Sequence, residues 1–145
     1  WLYKKIKESV PTLGICYGHQ AIAKLFGGEV DYIRPTKEKF FGFRSFKILD
    51  SCPLDLPKKI EVVASHEEEV KKLPKELKVF ASSQNVPIDG FYHESLPTVT
   101  FQSHPEARED FCSDRGISHK VKADPFQGGR SIMSSFMKYV KSLEG

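Results

Sequence analysis

One stretch of this chain decides the fold: Gly14-Ile15-Cys16-Tyr17-Gly18-His19-Gln20. The apolar run before it, 11–15, is typical of a short strand, and the apolar spacing after it, as far as the glycine pair 27–28, is typical of a helix. A strand that turns sharply into a helix lifts the side chain at the turn above the sheet edge, and flanking glycines relieve the crowding. The stretch therefore predicts a nucleophile elbow with Cys16 at its tip.

The predicted turn favours a reactive thiol. It places Cys16 at a helix N-terminus, where unpaired N–H groups and the helix dipole stabilise the thiolate. A second segment, Gln102-Ser103-His104-Pro105-Glu106, supplies an imidazole and a carboxylate. His104 can take the cysteine proton, and the bend at Pro105 lets Glu106 hold the ring in its productive tautomer. We therefore predict a catalytic triad of Cys16, His104 and Glu106.

These motifs resemble the class I, or triad, glutamine amidotransferases, whose elbow reads Gly-Ile/Val-Cys-x-Gly-x-Gln and whose later motif reads Gln-x-His-Pro-Glu. A third segment, Ser65-His66-Glu67-Glu68-Glu69-Val70, is similar to the family's Ser-His-x-Asp-x-Val, with Glu68 where Asp is usual. The GMP-synthase glutaminase branch is the most similar. The resemblance implies an α/β fold, a partial doubly wound mixed sheet with flavodoxin-like layers. Residues 1–145 would form a single domain, the C-terminal portion of the family domain with its upstream strands absent.

The resemblance also implies roles for the residues around the triad. The backbone N–H of Tyr17 would be one oxyanion-hole donor, and Gln20 would contact the substrate glutamine. Ser65 and His66 would border the pocket for its α-amino and α-carboxylate groups. The family's second oxyanion donor comes from an upstream glycine-containing loop that this chain would lack. Because losing one donor costs roughly a hundredfold to a thousandfold in rate, we expect low activity from the chain alone.

The activity implied by the resemblance is hydrolysis of the glutamine side-chain amide. Cys16 would form a γ-glutamyl thioester and release ammonia, and water would hydrolyse the thioester. No cofactor is expected, and a synthase or synthetase in another chain would use the ammonia. Two alternatives remain open: a γ-glutamyl peptidase or hydrolase with the same triad, and a catalytically impaired binding remnant.

Composition excludes several other classes of protein. The chain of 145 residues has a net charge of +3 and no long basic stretch with interleaved aromatic residues, which argues against nucleic-acid binding. No run approaches the roughly 18 apolar residues of a membrane span. Three cysteines without a CxxC pattern indicate reduced thiols and a cytoplasmic location. Cys52 and Cys112 are interpreted as small buried hydrophobic residues.

Metal and nucleotide chemistry have little support in the sequence. Histidines and glutamates at 66–68, 93–94 and 104 could converge, but no HExxH or paired-cysteine spacing is present, so no metal site is predicted. A phosphate-binding GxGxxG or Walker loop is also missing from the sequence. His19, three residues after Cys16, is interpreted as lining the pocket.

The remaining elements follow from hydrophobic periodicity. A short helix is predicted within the first ten residues and an amphipathic helix from Ser131 onward. Strands are predicted at 29–33, 40–49, 60–64, 77–82, 89–94 and 98–102. An alternative for the third motif is a helix start capped by Ser65, since acidic residues suit a first turn.

Overall fold

The computed structural model describes residues 1–120 and 122–145. The helices and strands, in chain order, are α1 (Leu2–Lys7), β1 (Thr12–Ile15), α2 (Tyr17–Leu25), β2 (Glu29–Tyr32), β3 (Phe40–Ile48), β4 (Lys59–His66), β5 (Glu68–Lys72), β6 (Leu77–Ser82), β7 (Gly90–His93), β8 (Thr98–Phe101), α3 (Glu109–Asp114) and α4 (Gln127–Glu144). None of the helices that the structure describes has the length and apolar character that crossing a bilayer would require.

Six strands form one mixed sheet in the order β1-β8-β7-β6-β3-β4. β1 and β8 run parallel, whereas the other neighbouring strands are antiparallel. β2 and β5 form a separate antiparallel pair. The predicted α/β class, with an elbow leading out of a mixed sheet, is confirmed.

Helices cover both faces of the main sheet. On one face α4 buries Ile132 in a cluster with Phe80. On the other face α1 and α2 bury Ile6 and Ile22 in a cluster with Phe91. These side chains are at most 1 % exposed, and burying each one contributes about 1.5–3 kcal/mol. The three layers hold β1 and β8 rigidly between the helices.

Two local predictions are wrong. The segment after Ser65 is not a helix start, because Glu68–Lys72 is strand β5. Val70 of this strand is buried and paired with Val30 of β2, so the segment takes part in an antiparallel ladder. α4 begins at Gln127 instead of Ser131. Its first turn tolerates the glycine pair 128–129 because both glycines pack closely against neighbouring backbone.

The sheet register brings the two main motifs together. Ile15 of β1 is paired with Phe101 of β8, so Cys16 and Gln102 follow at the same carboxyl end of two parallel strands. The N–H of His104 donates to the carbonyl of Val63 in β4 at 2.7 Å. The ends of β1, β8 and β4 therefore meet at one edge, where ligands bind in open α/β sheets.

Candidate active site

Cys16 lies at the tip of the turn between β1 and α2, with φ of 50° and ψ of −103°. A positive φ costs a residue with a Cβ on the order of 1–3 kcal/mol and persists only where the surroundings hold it. The Cys16 N–H donates to the Phe101 carbonyl at 2.9 Å, and the Gln20 N–H donates to the Cys16 carbonyl at 3.2 Å. These two bonds hold the strained turn and leave the thiol at the N-terminus of α2.

The two elbow glycines differ in their surroundings. A Cβ on Gly14 would lie 2.8 Å from Ile22 Cδ1 and 2.9 Å from Thr100 Cγ2. A Cβ on Gly18 would meet nothing within 4 Å among the residues that the structure describes. The expectation that flanking glycines relieve crowding is therefore correct for Gly14 and wrong for Gly18. Gly14 allows α2 to pack closely on β1 and β8.

His104 and Glu106 form the ion pair expected of a base and its orienting group. His104 Nδ1 lies 2.7 Å from Glu106 Oε1, which fixes the proton on Nδ1 and leaves Nε2 for another partner. The ring packs on Phe111 with centroids 4.7 Å apart. Burial alone would lower the pKa of His104, but hydrogen bonds to Cys16 and Glu106 and the negative charges of both raise it to about 9. The imidazole is therefore protonated at neutral pH.

Two further groups contact the Cys16 sulfur. The thiol donates to the Ser65 carbonyl at 3.8 Å, and Gln102 Nε2 donates to the sulfur at 3.7 Å. The carbonyl orients the S–H of the protonated form, whereas the amide N–H favours the thiolate. Sequence reasoning quoted Gln102 only as part of a motif, and its place directly after β8 explains why it reaches the sulfur.

The predicted substrate-binding residues lie around this sulfur, and their polar atoms are not equally available. Tyr17 is the first residue of α2, so its N–H has no acceptor within the helix. Ser65 Oγ is buried and has no hydrogen-bond partner among the described residues. Gln20 Nε2 is engaged with the Glu68 carbonyl at 2.9 Å and with Gln102 Oε1 at 3.2 Å. A substrate contact by Gln20 would therefore have to use its side-chain oxygen.

His66 lies against a buried ion pair that sequence reasoning missed. Its Nε2 is 2.7 Å from Arg44 Nη1 and its Nδ1 is 2.7 Å from the Glu68 carbonyl. Arg44 also binds both carboxylate oxygens of Asp89. Burial, and then the charge of Arg44, lower the pKa of His66 to about 4. The available signal was a single arginine inside the aromatic strand β3, although nothing local identified its partner.

His19 does not line the site as predicted. It is fully buried beneath the elbow, with Nδ1 2.7 Å from Thr100 Oγ1 and its ring on Phe91. Burial lowers the pKa of His19 to about 3. The ring is neutral at physiological pH and belongs to the core.

The three cysteines occupy different environments. Cys112 is fully buried, and burial raises the pKa of its thiol. Cys52 is half-buried against the core, and burial raises the pKa of its thiol to about 11. Only Cys16 among the cysteines is held on a strained turn beside a protonated histidine. Within the described residues, no group of three or more His, Cys, Asp or Glu side chains could hold a metal ion.

Comparison with known proteins agrees with this geometry. The sequence model of the family described as "Glutamine amidotransferase class-I" matches residues 1–120. The chain belongs to this family. A curated relative, a subunit of the glutamine-hydrolyzing GMP synthase of Pyrococcus furiosus, is 45 % identical over 100 residues, which are 68 % of this chain and 52 % of the relative. The glutamine-hydrolyzing GMP synthase of Campylobacter lari is 34 % identical over 133 residues, 90 % of this chain and 22 % of that protein.

The fold of this chain is similar to that of a solved structure. A putative GMP synthase subunit from Thermoplasma acidophilum superimposes with a TM-score of 0.77 at 29 % identity, covering 99 % of this chain and 64 % of that chain. The present glutamine amidotransferase chain thus spans about half the length of its curated P. furiosus relative. Family membership and fold are established by these similarities.

Proposed function

We propose that this chain is the glutaminase unit, residues 1–145, of a class-I glutamine amidotransferase. The observation that carries the proposal is Cys16 on a strained elbow, next to a histidine whose pKa it raises and which is paired with Glu106 at 2.7 Å. Nucleophile, base and orienting carboxylate are the parts that amide cleavage by cysteine requires. They come from two segments far apart in the sequence.

The proposed reaction begins from an ion pair between the Cys16 thiolate and the His104 imidazolium. The thiolate attacks the amide carbon of the glutamine side chain, and the Tyr17 N–H stabilises the oxyanion. His104 gives its Nε2 proton to the amide nitrogen, ammonia leaves, and a γ-glutamyl thioester remains. Neutral His104 then takes a proton from water, which attacks the thioester. The tetrahedral intermediate expels the thiolate, and glutamate is released.

The environment of His104 supports its role in both half-reactions. Its pKa of about 9 keeps the ring protonated while the thiolate attacks. Glu106 holds Nδ1–H, so Nε2 is the atom that exchanges the proton with the substrate. The carboxylate also stabilises the imidazolium, which forms again when the thioester is hydrolysed.

Ser65 is proposed as the main side-chain contact for the substrate. Its backbone carbonyl contacts the Cys16 sulfur, and its hydroxyl is buried and, within the described residues, has no partner. A buried hydroxyl without a partner costs roughly 1–3 kcal/mol, so a ligand with a polar group there would recover that free energy. Both imidazole nitrogens of His66 are occupied, which leaves its backbone for substrate binding.

The acceptor of the ammonia is proposed from the relatives. Those of P. furiosus and Pyrococcus abyssi are named as subunits of glutamine-hydrolyzing GMP synthases. We therefore propose that a synthetase in another chain, one that makes GMP, uses the ammonia. The chain requires no cofactor for the proposed hydrolysis.

The test is intact-mass spectrometry after exposure to a diazo-ketone analogue of glutamine, combined with a coupled assay for glutamate. One adduct on Cys16 and release of glutamate are expected. Cys16→Ala should give neither, whereas the matched control Cys52→Ala should behave as the parent. A Cys16→Ala chain that still hydrolysed glutamine would overturn the proposal. Cleavage of a γ-glutamyl peptide in preference to glutamine would instead identify a peptidase.

A further inference from the structure

A buried ion pair lies behind the site and takes no part in the proposed reaction. Asp89 is fully buried and Arg44 is 5 % exposed. Arg44 donates to the carboxylate through Nε at 2.9 Å and through Nη2 at 2.5 Å. Desolvation of two charges offsets most of their attraction, so such a pair stabilises a fold little better than apolar side chains of the same volume. Stability alone therefore does not explain it.

Arg44 fixes the tautomer of His66. A guanidinium has donors only, so Arg44 Nη1 donates and His66 Nε2, 2.7 Å away, accepts. The single proton of the neutral ring is then on Nδ1, which donates to the Glu68 carbonyl at 2.7 Å. Burial and the positive charge of Arg44 lower the pKa of His66 to about 4, so the ring keeps this form at neutral pH.

The chain of donors continues from Glu68 to the nucleophile. The Glu68 carbonyl also accepts a hydrogen bond from Gln20 Nε2 at 2.9 Å. Together with the bond from His66, this occupies both lone pairs of the carbonyl oxygen. The other Nε2 proton of Gln20 is directed at Gln102 Oε1, 3.2 Å away. Because Gln102 Oε1 faces a donor, its Nε2 faces the other way, toward the Cys16 sulfur at 3.7 Å. Each bond thus sets the direction of the next.

The backbone closes this chain into a ring. The Gln102 N–H donates to the backbone carbonyl of Asp89 at 2.8 Å. Asp89 therefore binds both ends of the series: its carboxylate binds Arg44, and its carbonyl binds the backbone of Gln102. None of the ring's side chains is more than 7 % exposed, and hydrogen bonds in such a buried environment are stronger than in water. The ring consists of Asp89, Arg44, His66, Gln20 and Gln102, together with the Glu68 carbonyl.

We propose that Asp89 and Arg44 are positioning residues for the nucleophile, and that the ring they hold directs the Gln102 N–H at the Cys16 sulfur to stabilise its thiolate. This inference rests on the proposed function, in which Cys16 is the nucleophile. Among the described residues, His104 is a charged group that interacts with Cys16, and Glu106 in turn interacts with His104. Gln102 adds a neutral donor that stays in place when His104 gives up its proton. The thiolate is then still hydrogen-bonded as it leaves the second tetrahedral intermediate.

The first experiment tests the hydrogen bond from Gln102 to the Cys16 sulfur. The full chain is alkylated with iodoacetamide at a series of pH values, and the alkylation rate of the Cys16 peptide is measured by mass spectrometry. Gln102→Met removes the donor and adds no charge. Because hydrogen bonds to charged groups are strong, we expect a pH midpoint of alkylation about one unit higher and, below the parent's midpoint, a rate about tenfold lower at the same pH. Gln127→Met, the same change on the exposed end of α4, should leave both unchanged. An unshifted Gln102→Met profile would overturn the proposal.

The ion-pair end is tested with the double variant Arg44→Gln, Asp89→Asn, which removes both charges and leaves no buried charge alone. A positioning role predicts a midpoint shifted in the same direction and, below the parent's midpoint, a rate at least about threefold lower at the same pH. A folded double variant with the parent's profile would overturn the role of the pair. In the unmodified chain, nitrogen-15 NMR should show His66 protonated on Nδ1, and the opposite tautomer would refute the ring even if the variant did not fold.

The same experiments separate this inference from the proposed function. Iodoacetamide reacts with any accessible thiolate and requires no glutamine pocket. A shifted profile in a chain that hydrolyses no glutamine would contradict the glutaminase proposal and support the ring. Glutamine hydrolysis by the chain, together with an unshifted alkylation profile in the variants, would support the glutaminase proposal and contradict the ring.

Discussion

His104 lies beside Cys16, His66 directly follows the residue whose carbonyl contacts the Cys16 sulfur, and the two rings have different charge states. Each ring has Nδ1 2.7 Å from an oxygen, a carboxylate for His104 and a backbone carbonyl for His66. Burial lowers the pKa of both, yet the pKa of His104 is raised to about 9 and that of His66 lowered to about 4. The difference comes from the neighbouring groups. Hydrogen bonds to Cys16 and Glu106, and their negative charges, raise the pKa of His104, whereas the positive charge of Arg44 lowers the pKa of His66.

This difference shows how one site divides its work between two identical side chains. A histidine with anionic neighbours holds a proton that it can give to a leaving group. A histidine with a cationic neighbour stays neutral, and its hydrogen bonds have fixed directions. In the proposed reaction the first histidine transfers protons, and in the proposed ring the second one positions other groups. Removing these neighbours one at a time tests the division.

Removing the anion behind Arg44 should have the largest effect. Asp89→Asn leaves a buried guanidinium without its countercharge, which typically costs about 3–5 kcal/mol of unfolding free energy. Urea unfolding followed by circular dichroism measures the loss. The matched control is Asp124→Asn, which breaks an exposed pair with Arg130 and should cost less than about 1 kcal/mol. Equal losses in the two variants would show that the buried pair is not special.

The two histidine regions also differ in how far sequence could predict them. The proposed triad could be predicted because each of its two segments is a local motif: an elbow around Cys16, and Glu106 two residues after His104. The Arg44–Asp89 pair could not, since its partners are 45 residues apart. Arg44 has the same strand parity as the buried Phe46, which indicates an inward-facing arginine, but no local feature identifies Asp89 as its partner.

The same reasoning explains the errors in secondary structure. Strands were found from apolar runs, as at Leu77–Ser82, whereas the acidic start of β5 favoured a helix cap. Pairing with β2 decided in favour of a strand, and pairing is not a local property. His19 was misplaced for a related reason, because helical spacing alone does not say that Thr100 and Phe91 enclose it.

The opposite shifts predict opposite pH dependences of stability. The folded pKa of His66 is below the unfolded value of about 6.5, so its contribution is present above pH 6.5 and lost as the pH falls toward 4, by about 3 kcal/mol. His19 acts in the same direction. The folded pKa of His104 is raised, so its contribution is present below pH 6.5 and lost as the pH rises through 9. Denaturant unfolding across pH should show a maximum between these limits, and His66→Gln should flatten the acid side only.

Removing the negative charge of Glu106 should lower the pKa of His104. Glu106→Gln keeps a hydrogen-bond acceptor at Nδ1 but removes its charge, so the pKa of His104 should fall from about 9 toward 6.5, as read by NMR titration. Glutamine hydrolysis should slow by about a hundredfold, within the range of general acid–base effects. Glu109→Gln on exposed α3 is the matched control. An unchanged titration would show that the carboxylate does not set the charge of His104.

The two glycines of the elbow around Cys16 can also be compared, with smaller expected effects. Gly14→Ala would place a methyl group 2.8 Å from Ile22 Cδ1 and 2.9 Å from Thr100 Cγ2. Overpacking of this kind costs about 1–3 kcal/mol, and it would move the strand end that carries Cys16. Thermal unfolding and the alkylation rate of Cys16 should both report the change. A variant with the parent's stability would show that α2 can shift freely on the sheet.

Gly18→Ala should act in the other direction, although the two glycines are symmetric about Cys16 in sequence. Its new methyl group would meet nothing within 4 Å among the described residues, and alanine is favoured over glycine inside a helix such as α2 by about 0.5–1 kcal/mol. We therefore expect slightly higher stability in thermal unfolding and an unchanged rate of Cys16 alkylation. Loss of stability here would overturn this expectation and show that packing on both sides of the elbow, not on the Gly14 side alone, holds Cys16 in place.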